Sequence, residues 1–401
     1  MWALPGKRAL ILVENLSVPF DRRVWQESRT LRDAGWDVHV ICPRGTKRDT
    51  EPYVELEGVK IHRYPLEAAT GGPRGYVKEY GAALWHTLRL ARKIGRTGKI
   101  DVVHACNPPD LLYLVAKVLK RSGAKFVFDQ HDLCPELYLS RFASRGEDFL
   151  YRAVCRLERA TYRAADVVIS TNESYRAAAI GRGNKAPEDV FVVRSAPIID
   201  RFRQVDPEPE LKKGKRHLLC YLGVMGPQDG VDYALRSLKL LRDDLGRDDW
   251  HAVFVGAGDT FDDMVVLAKE LGLDEVVEFT GRIPDEDLVR YLSSADVCLS
   301  PDPHNPLNDV STMNKVMEYM AMSRPIVSFE LTEARVSAGD AAVYAAADDE
   351  LEFAKLTARL LDDPEERARM GALGKERVEG PLAWGNSQKA LLAAYAKAIE
   401  T

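Results

Sequence analysis

The feature that most constrains this 401-residue chain is an alternation. Short, nearly unbroken runs of Val, Ile and Leu recur along its length, each followed by a stretch of helical periodicity. Runs without polar alternation suit strands covered by helices on both faces, as in parallel sheets built from βαβ units. The spacing predicts strands at Arg8–Glu14, Asp37–Cys42, Val59–Tyr64, Val102–Ala105, Lys125–Asp129, Val167–Thr171 and Val190–Arg194. A second series is predicted at Leu218–Gly223, His251–Gly256, Val276–Gly281, Asp296–Pro301, Pro325–Phe329 and Ala342–Ala345. Between the two series, Asp206–Lys215 is rich in proline and charge and reads as a linker. The expectation is an α/β protein of two doubly wound domains, residues 1–200 and 201–385, with a last helix over 386–401. In such sheets ligands bind outside the carboxyl ends of the strands, so the residues just past each strand bear on function.

Charge divides in the same way. Residues 1–200 hold 32 Lys and Arg against 24 Asp and Glu, whereas residues 201–401 hold 24 against 37. The basic half suits an anionic surface or acceptor. Its cations lack interleaved aromatic platforms, which argues against nucleic acid. The closest two of the six cysteines, Cys134 and Cys155, are 21 residues apart, so no zinc spacing exists and reduced thiols are expected. No apolar run reaches the roughly 18 residues of a membrane span, and the run after the N-terminus is too short for a signal peptide. The expected location is the cytoplasm. Tyr76–Lys99 reads as a helix with apolar positions Val77, Tyr80, Leu84, Leu88 and Ala91, beside Trp85, and with Arg89, Arg92, Lys93, Arg96 and Lys99 toward its end. Such a helix can cover a sheet, with its cations suiting its C-terminus. It can also rest on anionic lipid and make the contact with the membrane peripheral.

Three segments carry candidate chemistry. Past the first strand, the loop with Asn15, Ser17, Asp21, Arg22 and Arg23 can bring N–H groups and guanidinium to an anionic ligand; solvated first-turn arginines are the plain alternative. His131, in Gln130-His131-Asp132, ends a buried strand where a ligand would sit, with no nucleophile elbow nearby; a satisfied core imidazole is its alternative. In Ser300–Met322, Asp309 or Ser311 can cap a helix beginning near Ser311 and leave the N–H groups of Thr312, Met313 and Asn314 for a phosphate. Lys315 would supply the countercharge. Glu318, three residues on and on nearly the same face, could accept from the two vicinal hydroxyls of a ribose. The alternative is a surface Lys–Glu pair beside a Met stripe. Asp285-Glu-Asp287 has the spacing of a metal-binding DxD, but it opens a helix after Pro284, where acids suit the dipole. Val255-Gly-Ala-Gly-Asp lacks the third glycine of a nucleotide turn.

Taken in order, several segments resemble one family. They are Pro19-Phe-Asp-Arg-Arg-Val-Trp, Gln130-His131-Asp132, Tyr221-Leu-Gly-Val-Met-Gly-Pro-Gln-Asp-Gly, Phe279-Thr-Gly-Arg-Ile-Pro, Ala295-Asp-Val-Cys-Leu-Ser-Pro and Glu318-Tyr-Met-Ala-Met-Ser-Arg-Pro. Together they resemble the retaining, nucleotide-sugar-dependent glycosyltransferases of the GT-B fold, group 1 or family four. The resemblance implies two Rossmann-like domains facing across a cleft, the first for the acceptor and the second for the nucleotide-sugar, with the last helix crossing back. It puts the family's active-site histidine at His131 and its ribose glutamate at Glu318, with Gly223 in the donor-side loop. Two departures stand out. Where the family often has an Arg and a Lys five apart on the diphosphate, this chain has Val224 and Asp229. Where a sugar-binding glutamate often lies eight residues before the ribose glutamate, it has Val310, with Asp309 adjacent. Lys315, Arg282 and the N–H groups of Met313–Lys315 are then the expected diphosphate ligands, and Asp309 that of the sugar. The implied reaction is retaining transfer from a UDP-sugar or GDP-sugar to a glycan, lipid-linked or small-molecule acceptor, in cell-envelope polysaccharide or glycoconjugate synthesis, without cofactor or metal. A non-catalytic nucleotide-sugar-binding subunit and a nucleotide-sugar epimerase share these features. A two-domain dehydrogenase would need a full GxGxxG with an acid some 20 residues on, which no strand here has.

Overall fold

The computed structural model describes residues 6–45, 48–66, 72–142 and 146–400. The chain divides into two units, Met1–Ser195 with Gly385–Thr401 and Ala196–Trp384.

The first unit is built on eight strands: β1 (Arg8–Leu12), β2 (Asp37–Pro43), β3 (Tyr53–Leu56), β4 (Val59–Tyr64), β5 (Val102–Cys106), β6 (Lys125–Gln130), β7 (Val167–Ser170) and β8 (Val190–Val192). Their order is β3-β4-β2-β1-β5-β6-β7-β8. Helices α1 (Arg22–Asp33), α2 (Gly72–Gly95), α3 (Tyr113–Lys120), α4 (Cys134–Arg141), α5 (Phe149–Ala164) and α6 (Glu173–Gly181) connect them. Strands such as β1, β5 and β7 are buried throughout or nearly so, which is why their sequences carry no polar alternation. The second unit has six parallel strands in the order β11-β10-β9-β12-β13-β14: β9 (His217–Leu222), β10 (Trp250–Val255), β11 (Val277–Gly281), β12 (Val297–Ser300), β13 (Ile326–Phe329) and β14 (Ala342–Ala345). Its helices are α7 (Val231–Asp243), α8 (Phe261–Glu270), α9 (Asp285–Ser294), α10 (Asn314–Ala321), α11 (Thr332–Ala338), α12 (Glu350–Asp362) and α13 (Pro364–Glu379). Tyr221, Phe254 and Phe279 stack across β9, β10 and β11, with centroids 5.5 and 5.2 Å apart, and the two fully buried rings, Tyr221 and Phe254, each contribute roughly 1.5–3 kcal/mol. The final helix, α14 (Trp384–Glu400), belongs to the first unit from Gly385 on and buries Leu391, Ala394, Tyr395 and Ala398.

All the strands predicted from the apolar runs are present. A further strand, β3, not among those predicted, lies exposed at the edge and pairs antiparallel with β4 through Glu57-Gly58, both at positive φ. The proline-rich stretch expected to be a linker lies inside the second unit. Val205 N–H and Glu208 N–H donate to Ser293 Oγ (3.0 Å) and Ser294 Oγ (2.9 Å), and Lys212 pairs with Asp296 (2.8 Å), so the segment is tied to α9 and β12. The apolar stripe of α2 covers the first sheet: Ala83, Ala91 and Ile94 are buried and Leu84 and Leu88 pack on the core. Trp85 and the cations Arg89, Arg92, Lys93 and Arg96 stay exposed. The side chains of Tyr76 and Val77 lie outside the described residues. No described helix is long and apolar enough to cross a membrane. Strand order reverses between β1 and β5 in one sheet and between β9 and β12 in the other, so the loops after those strands frame the two natural ligand crevices.

Candidate functional site

In the first unit, His131 follows β6 directly and its charge is set from below. Nε2–H donates to Asp129 Oδ2 at 2.5 Å. Asp129 is fully buried and is also gripped by Arg23, whose Nη2 and Nε donate to its two oxygens at 2.7 and 3.2 Å. Burial opposes charge on the imidazole, but the Asp129 carboxylate outweighs it and holds the His131 pKa above its ordinary value. Burial likewise opposes charge on Asp129, yet Arg23 and His131 hold it well below the usual carboxylate range. Glu27, one turn past Arg23 and also fully buried, is pushed up by burial and by Asp129. The donor atoms of Glu27, Asp129 and His131 lie within 4.8 Å of one another, as do those of His104, Cys106 and Asp129. Arg23 already places a guanidinium in that space. The backbone N–H of His131 donates to Asn107 Oδ1 at 2.7 Å, which fixes the loop.

The loop past β1, expected to face an anionic ligand, departs from that expectation. Arg23 is buried against Asp129 and so does not reach an external anion. Asp21 caps α1, accepting from Val24 N–H at 3.1 Å. Ser17 donates to Asp49 (2.9 Å) and is buried as well. Asn15 and Arg22 remain exposed. Glu14, expected only as the end of the first strand, also bears on this loop. Glu14 is buried just past β1, its Oε1 has no hydrogen-bond partner, and burial followed by Glu79 pushes its pKa up to about 8. A charged residue closing an apolar run was the available signal.

In the second unit, Gly223, Lys315 and Glu318 gather at the β9–β12 switch point. Lys315 Nζ donates to Asp302 Oδ1 at 2.5 Å, lies 4.0 Å from Asp229 and sits over the Tyr221 ring at 5.1 Å. Burial disfavours its charge, but Asp302 more than restores it and raises the pKa above the ordinary lysine value. Ser300 Oγ holds the other Asp302 oxygen at 2.7 Å. A Cβ on Gly223 would lie 2.9 Å from the Tyr221 hydroxyl and 3.2 Å from Lys315 Cε, so glycine is what lets the lysine run beneath this loop. Gly256, at φ +142°, would bring a Cβ to 1.8 Å from Gly223 O; the GxG after β10 serves this close approach. Glu318 is nearly buried, and Arg201, which the sequence reading did not single out, lies 3.6 Å away.

The helix start is later than expected. A 3₁₀ turn at Asn308–Val310 intervenes, and α10 begins at Asn314 with Met313 at its N-cap and no side-chain cap. Ser311 Oγ donates to Leu307 O (2.7 Å) instead. Asp309 turns to α11, accepting from Thr332 N–H (2.9 Å) and Thr332 Oγ1 (3.1 Å). Thr312 and Met313 are partly exposed and Asn314 is exposed at the mouth of the helix, and Arg282 is exposed past β11. Val224 is 54% exposed. Asp229 accepts from Gly226 N–H at 2.9 Å and faces Lys315. Asp285-Glu-Asp287 opens α9, with Asp285 paired to Arg201.

Residues 21–195 match the family described as glycosyl transferase 4-like domain, and residues 216–363 match glycosyl transferases group 1. Among curated relatives, 2-deoxystreptamine glucosyltransferase of Streptomyces kanamyceticus is 25% identical over 360 residues, covering 85% of this chain and 89% of that one. Among solved structures, sucrose-phosphate synthase from Thermosynechococcus elongatus superposes with a TM-score of 0.78 at 18% identity over 96% of both chains. Anabaena HepE in complex with UDP and glucose does so at 0.71 and 14% identity, over 96% of this chain and 98% of that one. Two parallel-sheet α/β units, two family matches covering most of the chain and these neighbours make it a glycosyltransferase of the group 1, family-four type, with the GT-B fold.

Proposed function

We propose that this glycosyltransferase transfers a sugar with retention, without a metal, from a nucleoside-diphosphate sugar, a UDP-sugar in preference to a GDP-sugar. The observation that carries the reading is the convergence of Lys315, the uncapped start of α10 and Glu318 at the β9–β12 switch point. The UDP bound by Anabaena HepE supports the choice of donor. The diphosphate would lie at the α10 N-terminus, where backbone N–H groups favour an anion. The charge of Lys315 is offset by Asp302, so it acts as a fixed donor, and the exposed Arg282 adds a second cation. Glu318 would take the ribose hydroxyls. In the first unit, His131 keeps Nδ1 for a sugar hydroxyl, and Glu14 offers a carboxyl to an acceptor hydroxyl. The leaving phosphate would accept the acceptor's proton on the same face of the sugar, which calls for phosphate stabilisation rather than a glycosidase-like carboxylate pair. The acceptor would be a glycan, a lipid-linked sugar or a small molecule of cell-envelope or glycoconjugate synthesis, and Trp85 with the α2 cations offers a peripheral contact with anionic lipid.

Removing Lys315 alone would strand the buried Asp302 charge, so Lys315→Met/Asp302→Asn is compared with Asp302→Asn. The double variant should weaken UDP and UDP-sugar by about 1.5–3 kcal/mol more and leave uridine nearly unchanged. Glu318→Ala should weaken all three. Unchanged UDP affinity in the double variant would move the phosphate site elsewhere. A chelator should leave transfer intact; magnesium-reversible loss would overturn metal independence.

A further inference from the structure

The first unit also holds an apolar cavity of about 460 Å³, walled by α2, the loop at Pro108–Leu111, α4 and α5. Leu84, Leu111, Leu137, Phe142, Val154 and Leu157 face it, and each is only partly buried. Six large apolar side chains left partly wet around one concavity mark a binding surface. The volume falls within the roughly 300–1,000 Å³ of small-molecule sites. Polar groups on the walls are few and mostly engaged. The Tyr138 hydroxyl donates to Asp148 (2.9 Å), and the Asp110 carboxylate accepts from Asn107 (3.1 Å). Arg141, exposed, is the cation of the rim.

Position narrows the ligand. α4 begins at Cys134, three residues past His131, and Asn107 joins the two loops: its Oδ1 accepts from His131 N–H and Asp132 N–H, and its Nδ2 donates to Asp132 O at 2.7 Å. Arg141, at the other end of α4, is close enough to act on the charge of Asp132. A chain lodged between α2 and α5 would therefore run along α4, which reaches from the His131 loop at its start to Arg141, the cation for an anionic head, at its end. Next to Leu84, Trp85 is 58% exposed with the Arg89 guanidinium 5.6 Å over its ring, a second apolar-plus-cation pair on α2.

We propose that this cavity takes the hydrocarbon chain of a lipid phosphate, which makes the acceptor an amphiphile with its anionic head at Arg141. Naming that ligand the acceptor rests on the transferase reading above; affinity for the chain does not. The test titrates full-length protein, without donor, with n-alkyl phosphates from octyl to tetradecyl and with farnesyl phosphate, all below their micelle concentrations, and with inorganic phosphate as the head alone. Affinity should rise about fourfold per buried methylene, with inorganic phosphate far weaker. The farnesyl and straight-chain arms distinguish an isoprenoid from an acyl source. A Cβ on Gly81 meets nothing within 4 Å, so Gly81→Leu fills the cavity from an intact helix, and Ala153→Leu fills it from α5. Each should lower dodecyl phosphate affinity more than tenfold and flatten the dependence on chain length. Affinity that ignores chain length, or that survives both fillings and falls only with Trp85→Ser, would overturn the proposal. In the wild-type protein, no chain binding with transfer to a water-soluble acceptor intact would sink the cavity alone; chain binding without any transfer would sink the transferase reading alone.

Discussion

His131 owes its charge to the residue two positions before it. Successive side chains alternate along a strand, so Asp129 and His131 emerge on one side of β6, and α1 brings Arg23 beneath them. The folded imidazole pKa stands above its unfolded value of about 6.5. The contact therefore stabilises the fold fully below that value and is lost as pH rises through the folded pKa; Asp129 stays ionised throughout that window. The stability difference between wild type and His131→Asn should be largest near pH 6 and shrink toward alkaline pH. The change should amount to about 1.4 kcal/mol for each pH unit by which the folded pKa exceeds the unfolded one. Urea unfolding at several pH values measures it, and a difference independent of pH would mean that the pair carries no extra proton in the fold. Both Arg23 and His131 were visible in the sequence as residues past strand ends. Their partnership was not, because no spacing in the chain links a first-turn arginine of α1 to the end of β6.

The elements were legible where burial writes itself into composition and illegible where side chains bond to backbone. Continuous Val, Ile and Leu runs marked every strand that is covered on both faces, whereas β3, exposed at an edge, left no such run. The loop from Pro301 to Met313 is shaped by local amide bonds. Asn305 Oδ1 accepts from Leu307 N–H and Asn308 N–H, while Asn308 Nδ2 donates to Gln228 O and Pro303 O. Those bonds favour turns over helix, so α10 starts at Asn314 and Asp309 is left to cap α11 instead. Asp309→Ala should then cost about 1 kcal/mol of stability, the usual value of a lost cap, and leave UDP affinity unchanged. Chemical denaturation and calorimetric titration read the two quantities separately. Weaker donor binding with unaltered stability would return Asp309 to the sugar.

Across the whole chain, the residues that complete the first unit come from its far end. Tyr395 of α14 is buried, edge-on to Trp36 at 5.0 Å, and its hydroxyl meets His104 Nδ1 at 2.9 Å. His104 Nε2 in turn lies 3.4 Å from Asp129, so the last helix connects through one imidazole to the carboxylate that charges His131. Two bonds farther up α14 add to the attachment: Ser387 Oγ donates to Arg194 O at 2.7 Å and Gln388 Nε2 to Thr30 Oγ1 at 3.3 Å. If this attachment is structural, Tyr395→Ala should cost roughly 3–5 kcal/mol through the cavity it leaves. Tyr395→Phe, which keeps the ring, should cost only about 1–3 kcal/mol through the polar group it leaves unpaired. The cost should stay local to one unit. Amide exchange in the Ala variant should quicken in β5, whose His104 meets the Tyr395 hydroxyl, and stay unchanged in β9, β10 and β12. UDP affinity, assigned to the second unit, should hold while transfer falls, because the His131 network loses the support of His104. Exchange that quickens equally in both sheets would mean that α14 stabilises the chain as one cooperative body, and its return to the first unit would then say nothing specific about His131.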